Sequence, residues 1–267
     1  MLVTIQIVNF NSRDNLRGCL EAIRENLPRK CSLEVVVINN DSQELKINSW
    51  QKDFPLEIRV LEARGNLGFG RAQNLGAAEA KGELLFFLNP DTRVRPGAID
   101  ELFSAFQKDS EVGIAGPRLL GENGQSEKDH CGKTKTPLSL IRAKFRASAH
   151  SGPEKVQEVD WISGGALMIR RDLFCELGKF DEKYFMYFED VDLCLRAKRW
   201  GEKIIVEPSA EIVHLGGRSY ASEKTKKKHY YASQNYYLRK NFGILAALVF
   251  KVLRWPLYLK NVYFNGS

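Results

Sequence analysis

Two carboxylates in this sequence each follow a short apolar run that ends in turn-forming residues. Asp91 comes after the apolar run 84–88 and an Asn-Pro step, and Asp41 comes after the apolar run 33–38. Such runs are typical of strands buried on both faces of a parallel sheet, where ligands bind at the carboxyl ends of the strands. Asp41 can there accept hydrogen bonds from a ribose or a base edge. Taken singly, each also fits a plain turn, with a solvated Asp91 or an Asx-turn at Asp41.

A third acidic group follows an aromatic cluster at residues 184–188. Glu189, Asp190 and Asp192 lie within four residues of one another. If a helix begins near Glu189, all three crowd its first turn, where the helix macrodipole stabilises negative charge. Helix capping explains one or two of them. Three carboxylates behind an aromatic cluster indicate one held at a pocket wall.

Glycine-rich segments accompany these carboxylates. Residues 64–71 lead into a helix of small residues, and glycines followed by a helix N-terminus suit an anionic ligand. The segment is neither a phosphate-binding loop of the Walker A type nor a three-glycine dinucleotide fingerprint, and a tight turn with close helix packing is the alternative. We assign Arg71 and Asn74 to the ligand, and the following small residues to packing: Gly76, Ala77, Ala78 and Ala80.

His214 stands at the end of a predicted strand and is followed by two glycines and Arg218. A single histidine at a strand end is more often structural than a ligand. The glycines and Arg218 favour a loop that faces a ligand.

Alternating strands and helices must position these residues. Strands are predicted at 3–8, 33–38, 57–61, 84–88, 112–115, 166–169, 203–207 and 210–213. Between them, Ser12 is predicted to cap a helix that buries Leu16, Leu20, Ile23 and Leu27, and another helix spans 98–107. This order predicts an α/β fold with βαβ units in a mostly parallel sheet. Residues 120–159 show no periodicity, which is typical of a functional loop or a partly disordered segment.

Composition limits the class of protein. With 267 residues, 43% hydrophobic and 27% charged, the sequence is that of an ordinary globular protein. A net charge of +7 favours an anionic partner. The five cysteines form no metal-binding pattern and the N-terminus lacks a signal-peptide pattern, so we predict a reduced, cytoplasmic protein.

The C-terminal residues differ from the rest in charge and aromatic content. Lysines cluster at 224–228, and an uncharged stretch at 242–250 is too short to span a bilayer. Cationic residues among aromatic ones suit a helix in a membrane interface, while packing on the domain or a homodimer contact fits equally. We predict a catalytic domain over residues 1–222 and a helical extension over 223–267.

Seven motifs together resemble the inverting family 2 glycosyltransferases of the GT-A fold, most closely their bacterial rhamnosyltransferase-like branch. The resemblance covers residues 3–219. Its order and spacing are specific, and its motifs are VNFNS (8–12), NNDS (39–42), NLGFGRAQNLG (66–76), FLNPD (87–91), ISGGALMIRR (162–171), YFEDVDLCLR (187–196) and VHLGG (213–217).

The resemblance implies a single Rossmann-like sheet, a nucleoside-diphosphate sugar donor and a divalent metal, Mg²⁺ or Mn²⁺. It implies that Asp91 and His214 hold the metal, with Asn89 in place of the first Asp of the family's D-x-D motif. Asp190 matches the general base, and Glu189 is the base if the register differs by one. The implied donor-binding residues are Asn9, Asn11, Asp41, Asn66, Gly68, Arg71, Asn74 and Asn89, and the implied acceptor-binding residues are Trp161, Gly164, Gly165 and Arg218.

The implied reaction is a single inverting displacement. A metal neutralises the leaving diphosphate, and one carboxylate removes the proton of an acceptor hydroxyl on a glycan or lipid-linked precursor. dTDP-rhamnose is the first choice of donor because of the N-P-D motif, with GlcNAc, galactose or galactofuranose donors as alternatives. A sugar nucleotidyltransferase and a nonenzymatic nucleic-acid-binding protein are weaker alternatives, since neither of their motifs is present.

Overall fold

Strands and helices alternate along the chain and build one central sheet, as the sequence predicts. The computed structural model describes residues 1–52, 54–127, 129–142, 154–216 and 223–259. Its strands are β1 (Leu2–Asn9), β2 (Ser32–Asn39), β3 (Ile58–Glu62), β4 (Leu84–Leu88), β5 (Thr92–Val94), β6 (Val112–Leu120), β7 (Cys131–Gly132), β8 (Gln157–Glu158), β9 (Trp161–Ile162), β10 (Ala166–Arg170) and β11 (Lys203–His214). Its helices are α1 (Arg13–Glu25), α2 (Asn48–Gln51), α3 (Phe69–Glu79), α4 (Ala98–Lys108), α5 (Pro137–Arg142), α6 (Arg171–Glu176), α7 (Glu189–Arg199), α8 (Glu223–Phe242) and α9 (Ile244–Leu259).

The main sheet has the strand order β3-β2-β1-β4-β10-β6-β11-β5, with β8 paired to β11. Strands β3, β2, β1 and β4 run parallel to one another, and β6 runs parallel to β11. Strand β10 runs antiparallel between β4 and β6 and joins the two parallel parts. This is the α/β architecture, with a mostly parallel sheet flanked by helices, that the sequence predicts.

Strand β4 lies at the centre of the core. All five of its residues are buried, because β1 and β10 cover its edges and apolar side chains cover both faces. Phe86 packs with the cluster of α1 and α4 on one face, and Phe87 packs against Phe174 and Phe180 on the other. Burying one such side chain stabilises the fold by about 1.5–3 kcal/mol. The strand therefore ends at a rigid position, immediately before Asn89.

Three local predictions differ from the structure. The Ser12 hydroxyl donates to Asn9 Oδ1 (3.2 Å) and accepts the N–H of Phe10 (3.4 Å), and it makes no capping bond to an N–H of α1. Leu27 lies beyond the end of α1 and is 37% exposed, so it is not on the buried face. The two strands predicted at 203–207 and 210–213 are one strand, β11, because a register irregularity in its pairing with β6 carries the chain across the break.

The segment without periodicity, residues 120–159, is partly ordered. Strand β7 pairs with β9, helix α5 follows it, and β8 pairs with β11. Its elements are too short for a periodic pattern to reveal them. Residues 128 and 143–153 lie outside the described part of the chain.

Helix α8 is bound to the rest of the protein through a buried carboxylate. Asp192 on α7 is fully buried and accepts hydrogen bonds from Lys240 Nζ (2.9 Å), Asn241 Nδ2 (3.0 Å) and Arg196 Nε (2.9 Å). A buried charge requires such partners, because an unpaired one costs several kcal/mol. Asp192 therefore has a structural role that the sequence did not reveal, and it orders the C-terminal helices on the side of α7.

Helix α9 packs on α8 through one face only. Phe250 is buried on that face, whereas an apolar stripe on the other is at least half exposed: Ile244, Leu245, Leu248, Val249, Val252, Leu253 and Trp255. No helix among the described residues is both long and apolar enough to cross a bilayer.

Candidate functional site

The carboxyl ends of β1 and β2 form a polar cleft of about 490 Å³. Asn9 is buried and donates from Nδ2 to Asn39 Oδ1 (2.9 Å), which fixes the two strand ends together. Asp41 Oδ2 accepts the backbone N–H of Asn11 (2.8 Å). Asn9, Asn11 and Asp41, all predicted to bind the donor, therefore line one cleft, whose carboxylate and amide groups can bond a ribose and a base.

The glycine segment before α3 is held by asparagine side chains. Asn40 Oδ1 accepts the N–H of Leu67 (2.8 Å), and Asn66 Oδ1 accepts from Asn40 Nδ2 (3.1 Å) and from the N–H of Gly68 (2.9 Å). Gly68 has φ +82°, and a Cβ there would lie 2.2 Å from the carbonyl oxygen of Phe185. Only glycine fits such a position. The segment thus packs directly against the loop that precedes α7.

Arg71 and Asn74, both assigned to the ligand from the sequence, contact the same part of the protein. Arg71 is exposed, with its Nε 3.3 Å from Glu182 Oε2. Asn74 Nδ2 donates to the Phe180 carbonyl (2.9 Å) and to Glu182 (3.2 Å), and its oxygen accepts the Phe180 N–H (3.1 Å). Every hydrogen-bonding group of the Asn74 amide is engaged in this way. The geometry gives Asn74 a structural contact in place of the ligand contact that we predicted.

Asp91 and His214 are adjacent in space, as the predicted metal site requires. Asp91 is buried directly after β4, and His214 ends β11; their Oδ1 and Nε2 atoms are 3.4 Å apart. The other ring nitrogen, Nδ1, is 3.0 Å from both carboxylate oxygens of Glu127. Burial lowers the pKa of His214, but the hydrogen bonds to Asp91 and Glu127 outweigh it and raise the pKa to about 10.

The spacing of Asp91 and His214 suits two ligands of one divalent cation. Two ligands of a cation bound at about 2.1 Å lie about 3 Å apart, close to the Asp91–His214 separation. A carboxylate on the second nitrogen of a metal-binding histidine, as Glu127 provides, orients the ring. The described residues contain no group of three or more acidic, His or Cys side chains that would hold a cation unaided. The donor set therefore suits Mg²⁺ or Mn²⁺, which keep open positions for phosphate oxygens and water.

One turn joins the end of β4 to the acidic cluster. The N–H of Asn89 donates to the carbonyl of Gly165 (2.8 Å), and the N–H of Gly164 donates to Asp190 Oδ2 (2.8 Å). A Cβ on Gly165 would lie 3.1 Å from Asn89 Nδ2. The Gly164–Gly165 turn therefore brings Asn89 and Asp190, separated by 101 positions in the sequence, to one place.

The backbone before α7 is strained where it presents the carboxylates. Tyr187 and Phe188 have φ +70° and +68°, which bulky residues rarely adopt. Such positions cost about 1–3 kcal/mol each and cluster at functional sites. Asp190 is partly exposed, and its Oδ1 accepts the N–H of Val191 (2.7 Å). Strain and hydrogen bonds together fix the direction of this carboxylate.

Comparison with known proteins identifies the family. A model described as Glycosyl transferase family 2 matches residues 4–178. The chain belongs to glycosyl transferase family 2. The predicted family and enzyme class, glycosyltransferase, are thereby confirmed. Asp190 and His214 lie beyond the matched residues, so their roles rest on the geometry described above.

Two curated relatives of this family 2 glycosyltransferase are named for rhamnose transfer. It is 31% identical to the N-acetylglucosaminyl-diphospho-decaprenol L-rhamnosyltransferase of Mycobacterium tuberculosis, over 68% of this chain and 66% of the relative. It is 28% identical to the dTDP-rhamnosyl transferase RfbF of Shigella flexneri, over 79% of this chain and 68% of the relative. The matches thus span about two thirds of each relative's length. These similarities support the predicted rhamnosyltransferase-like branch.

A solved structure shares the fold of this glycosyltransferase. GalNAc-T7 with UDP, GalNAc and Mn²⁺ matches 99% of this chain and 57% of that one, with a TM-score of 0.69 at 17% identity. At this identity the likeness concerns the fold alone. It confirms the predicted GT-A fold.

Three features of the site were missed from the sequence or lie outside the described residues. Glu127 and Lys135 belong to the segment without periodicity, where no local signal marked them. Lys135 Nζ lies 3.6 Å from the ring centroid of Trp161, which is buried in β9 beside the Gly164–Gly165 turn. Arg218, predicted to bind the acceptor, lies outside the described part of the chain.

Glu189 differs from its neighbour Asp190 in environment. It is buried, and its Oε2 has no hydrogen-bond partner among the described residues. Burial, and then the charge of Asp190, raise the pKa of Glu189 well above its ordinary value. Burial and the raised pKa favour the protonated form of Glu189, which suits a packed side chain better than a proton acceptor.

We expect Glu189→Gln to remove a pH dependence of stability. Between the ordinary pKa of 4.5 and the raised folded value, only the unfolded chain releases the proton, so wild-type stability falls as pH rises. Each pKa unit of difference is worth about 1.4 kcal/mol. In thermal unfolding from pH 5 to 8, the stability of the wild type should fall relative to that of the variant as the pH rises. Glu176→Gln, at an exposed glutamate of α6, is the control, and parallel curves for wild type and Glu189→Gln would contradict the assignment.

Proposed function

We propose that this chain moves a sugar from a nucleoside-diphosphate donor to an acceptor hydroxyl by one inverting displacement. The observation that carries the proposal is the Gly164–Gly165 turn. The Gly165 carbonyl accepts the Asn89 N–H, and the Gly164 N–H donates to Asp190. The turn thereby connects the end of β4, where the proposed metal ligand Asp91 lies, to the carboxylate of Asp190. A leaving diphosphate and an attacking hydroxyl require this combination.

The donor side comprises Asp91, His214 and the cleft at Asn9, Asn11 and Asp41. Asp91 and His214 would hold the cation, which when bound supplies positive charge to the leaving diphosphate. Asp41 and the asparagines would bond the nucleoside, because they line the 490 Å³ cleft at the adjacent strand ends. Asn89 lies between the two groups and follows β4 directly.

Asp190 would act as the general base. It accepts two backbone N–H bonds, from Gly164 and Val191, which stabilise a carboxylate and hold its direction. Its partly exposed position leaves it accessible to an acceptor, whereas Glu189 is buried. Trp161, Gly164 and Gly165 adjoin Asp190, which supports their assignment to the acceptor side.

The donor that we propose is dTDP-L-rhamnose, and the acceptor is a hydroxyl of a lipid-linked sugar. The similarity to enzymes named for rhamnosyl transfer supports both. Other nucleoside-diphosphate sugars are the alternatives. A screen of sugar nucleotides with Mn²⁺ tests the class: we expect hydrolysis or thermal stabilisation by at least one donor, with dTDP-rhamnose strongest. If no donor is hydrolysed and none stabilises the protein, the proposal is contradicted. If UDP-GlcNAc, UDP-galactose or UDP-galactofuranose gives a stronger response than dTDP-rhamnose, the enzyme class stands and only the donor sugar changes.

We further propose that the C-terminal helices bind the surface of an anionic membrane, on its cytoplasmic side, where a lipid-linked acceptor would be found. The apolar stripe of α9 supports this, since seven of its side chains are at least half exposed while basic residues lie on both helices. A helix in a membrane interface combines such a stripe with cationic neighbours. On this proposal residues 223–267 form a membrane-binding extension of the catalytic domain at 1–222.

We expect Leu245→Asn combined with Leu248→Asn to weaken binding to phosphatidylglycerol-containing vesicles. Each buried CH₂ contributes about 0.8 kcal/mol, so the double variant should bind at least tenfold more weakly in co-sedimentation. Val156→Asn, at an exposed apolar residue outside the helices, is the matched control. High salt should also weaken binding, since each lysine near the surface contributes about 1 kcal/mol. No vesicle binding, with a concentration-dependent dimer that the double variant abolishes, would identify the stripe as a contact between copies.

A further inference from the structure

Lys135 has an environment that the reaction described above does not explain. Its ammonium nitrogen lies 3.6 Å from the ring centroid of Trp161 and 5.4 Å from that of Phe188. Within the described residues the ammonium makes no hydrogen bond and has no carboxylate within 4 Å. Burial lowers the pKa of Lys135, and the negative charges of Asp190 and Asp129 oppose that effect only from a distance. Aromatic faces stabilise a cation, but they leave its N–H donors without acceptors.

The turn that carries Lys135 is anchored on both sides. The N–H and hydroxyl of Thr134 both donate to Asp160 Oδ2 (2.8 Å each), and Asp160 also pairs with Lys198 on α7. On the other side, the Thr136 hydroxyl accepts the Ser139 N–H (3.1 Å) at the start of α5. Lys135 is therefore held beside the catalytic helix by the fold.

Lys135 lies on the acceptor side of the site. Phe188 directly precedes Glu189 and Asp190, and Trp161 precedes the turn whose Gly164 N–H bonds Asp190. On the proposed function, the leaving diphosphate lies at Asp91, which follows β4, and His214, which ends β11. A neutral hydroxyl approaching Asp190 needs no ammonium, whereas a phosphate attached to the acceptor sugar would supply acceptors for the N–H donors of Lys135 and a negative charge to pair with its ammonium.

We propose that Lys135 binds a phosphate oxygen of the acceptor while Asp190 receives the proton of the acceptor hydroxyl. This inference rests on the proposed function, because it takes the acceptor to be a sugar linked to a lipid through phosphate. Lys135 then selects phosphorylated acceptors over free glycans, and the rings of Trp161 and Phe188 keep its ammonium directed into the acceptor side.

Binding of geranyl diphosphate tests this role, with dTDP and Mn²⁺ saturating so that the donor side is filled. By calorimetry, we expect Lys135→Met to weaken geranyl diphosphate binding roughly 10–100-fold, the range for a hydrogen bond to a charged group. Lys135→Arg should retain most of the affinity, since it keeps the charge. The matched control is Lys133→Met, at an exposed lysine two positions away. The affinity for dTDP should be equal in all four proteins, which also shows that they are folded.

Several results would overturn the inference. Equal affinity of wild type and Lys135→Met for geranyl diphosphate would remove Lys135 from phosphate binding, and an equal loss in Lys133→Met would indicate attraction by surface charge alone. Inorganic pyrophosphate binding as tightly as geranyl diphosphate would assign the site to free phosphate and not to an acceptor. If dTDP fails to bind while geranyl diphosphate binding still depends on Lys135, the phosphate site stands and the proposed donor falls.

Discussion

We expect Asp190→Asn to lower the turnover of sugar transfer by roughly 10²–10⁴-fold, the usual contribution of a general base. The amide keeps the shape of the side chain but cannot take a proton. In the wild type, the two carboxylate oxygens of Asp190 accept the N–H groups of Gly164 and Val191. In the variant, the amide NH₂ faces one of these N–H groups and cannot accept its hydrogen bond. The affinity for dTDP with Mn²⁺ should change little, because the nucleotide cleft is formed by β1 and β2. Initial rates at saturating donor and calorimetry with dTDP measure the two effects.

Glu189→Gln is the matched variant for this prediction. It removes the adjacent carboxylate, whose pKa burial raises well above its ordinary value. We expect it to retain most of the turnover, because Glu189 is buried and cannot reach an acceptor as the partly exposed Asp190 can. A large loss in Glu189→Gln together with near-normal turnover in Asp190→Asn would reverse the assignment of the base.

The second large effect is expected for Asp91→Asn. Asp91 Oδ1 is 3.4 Å from His214 Nε2, and loss of the carboxylate charge removes the stronger of the two proposed ligands. A bound cation contributes several kcal/mol to stabilising the leaving diphosphate, so turnover should fall by roughly 10³-fold or more. Calorimetry with dTDP should show that Mn²⁺ strengthens binding to the wild type and has no such effect on the variant.

Asp41→Asn provides the comparison for Asp91. Asp41 lies on the same sheet edge but in the nucleoside cleft, where its Oδ2 accepts the Asn11 N–H (2.8 Å). Its substitution should weaken dTDP binding by the same factor with Mn²⁺ and with EDTA. If EDTA leaves wild-type affinity unchanged, or if Asp41→Asn alone abolishes the effect of Mn²⁺, the metal site is not at Asp91.

The ends of the strands were predicted correctly because each is marked by an apolar run and by the turn residues that directly follow it. The apolar run 84–88 is strand β4 residue for residue, and the carboxylate that follows it lies at the sheet edge. Burial on both faces requires an unbroken apolar run, so the pattern and the structure have the same cause. Gly68 was predicted to bind the donor; its φ of +82° and its contact with the Phe185 carbonyl depend on the fold.

The partners across the site could not be predicted, because they join residues far apart in the chain. Glu127 bonds His214 across 87 positions, and Asp192 binds the α8 residue Lys240 across 48. Nothing within either segment encodes the other, and the short elements around Glu127 have no period to detect. For Asn74, a local glycine-rich pattern suggested a ligand, but the approach of residues 180–182 uses its amide fully.

By itself, the sequence determined the α/β order, the family and the carboxylates at the ends of β2 and β4. The carboxylates and each strand depend on side chains within one short segment, and the family depends on the order of several such segments along the chain. The tertiary structure decided which of these side chains meet. It separated the buried Glu189 from the partly exposed Asp190, gave His214 a carboxylate on each ring nitrogen, and placed Lys135 against Trp161. Burial, charge and hydrogen-bond partners arise only when distant segments pack together, so these properties of the site depend on the fold.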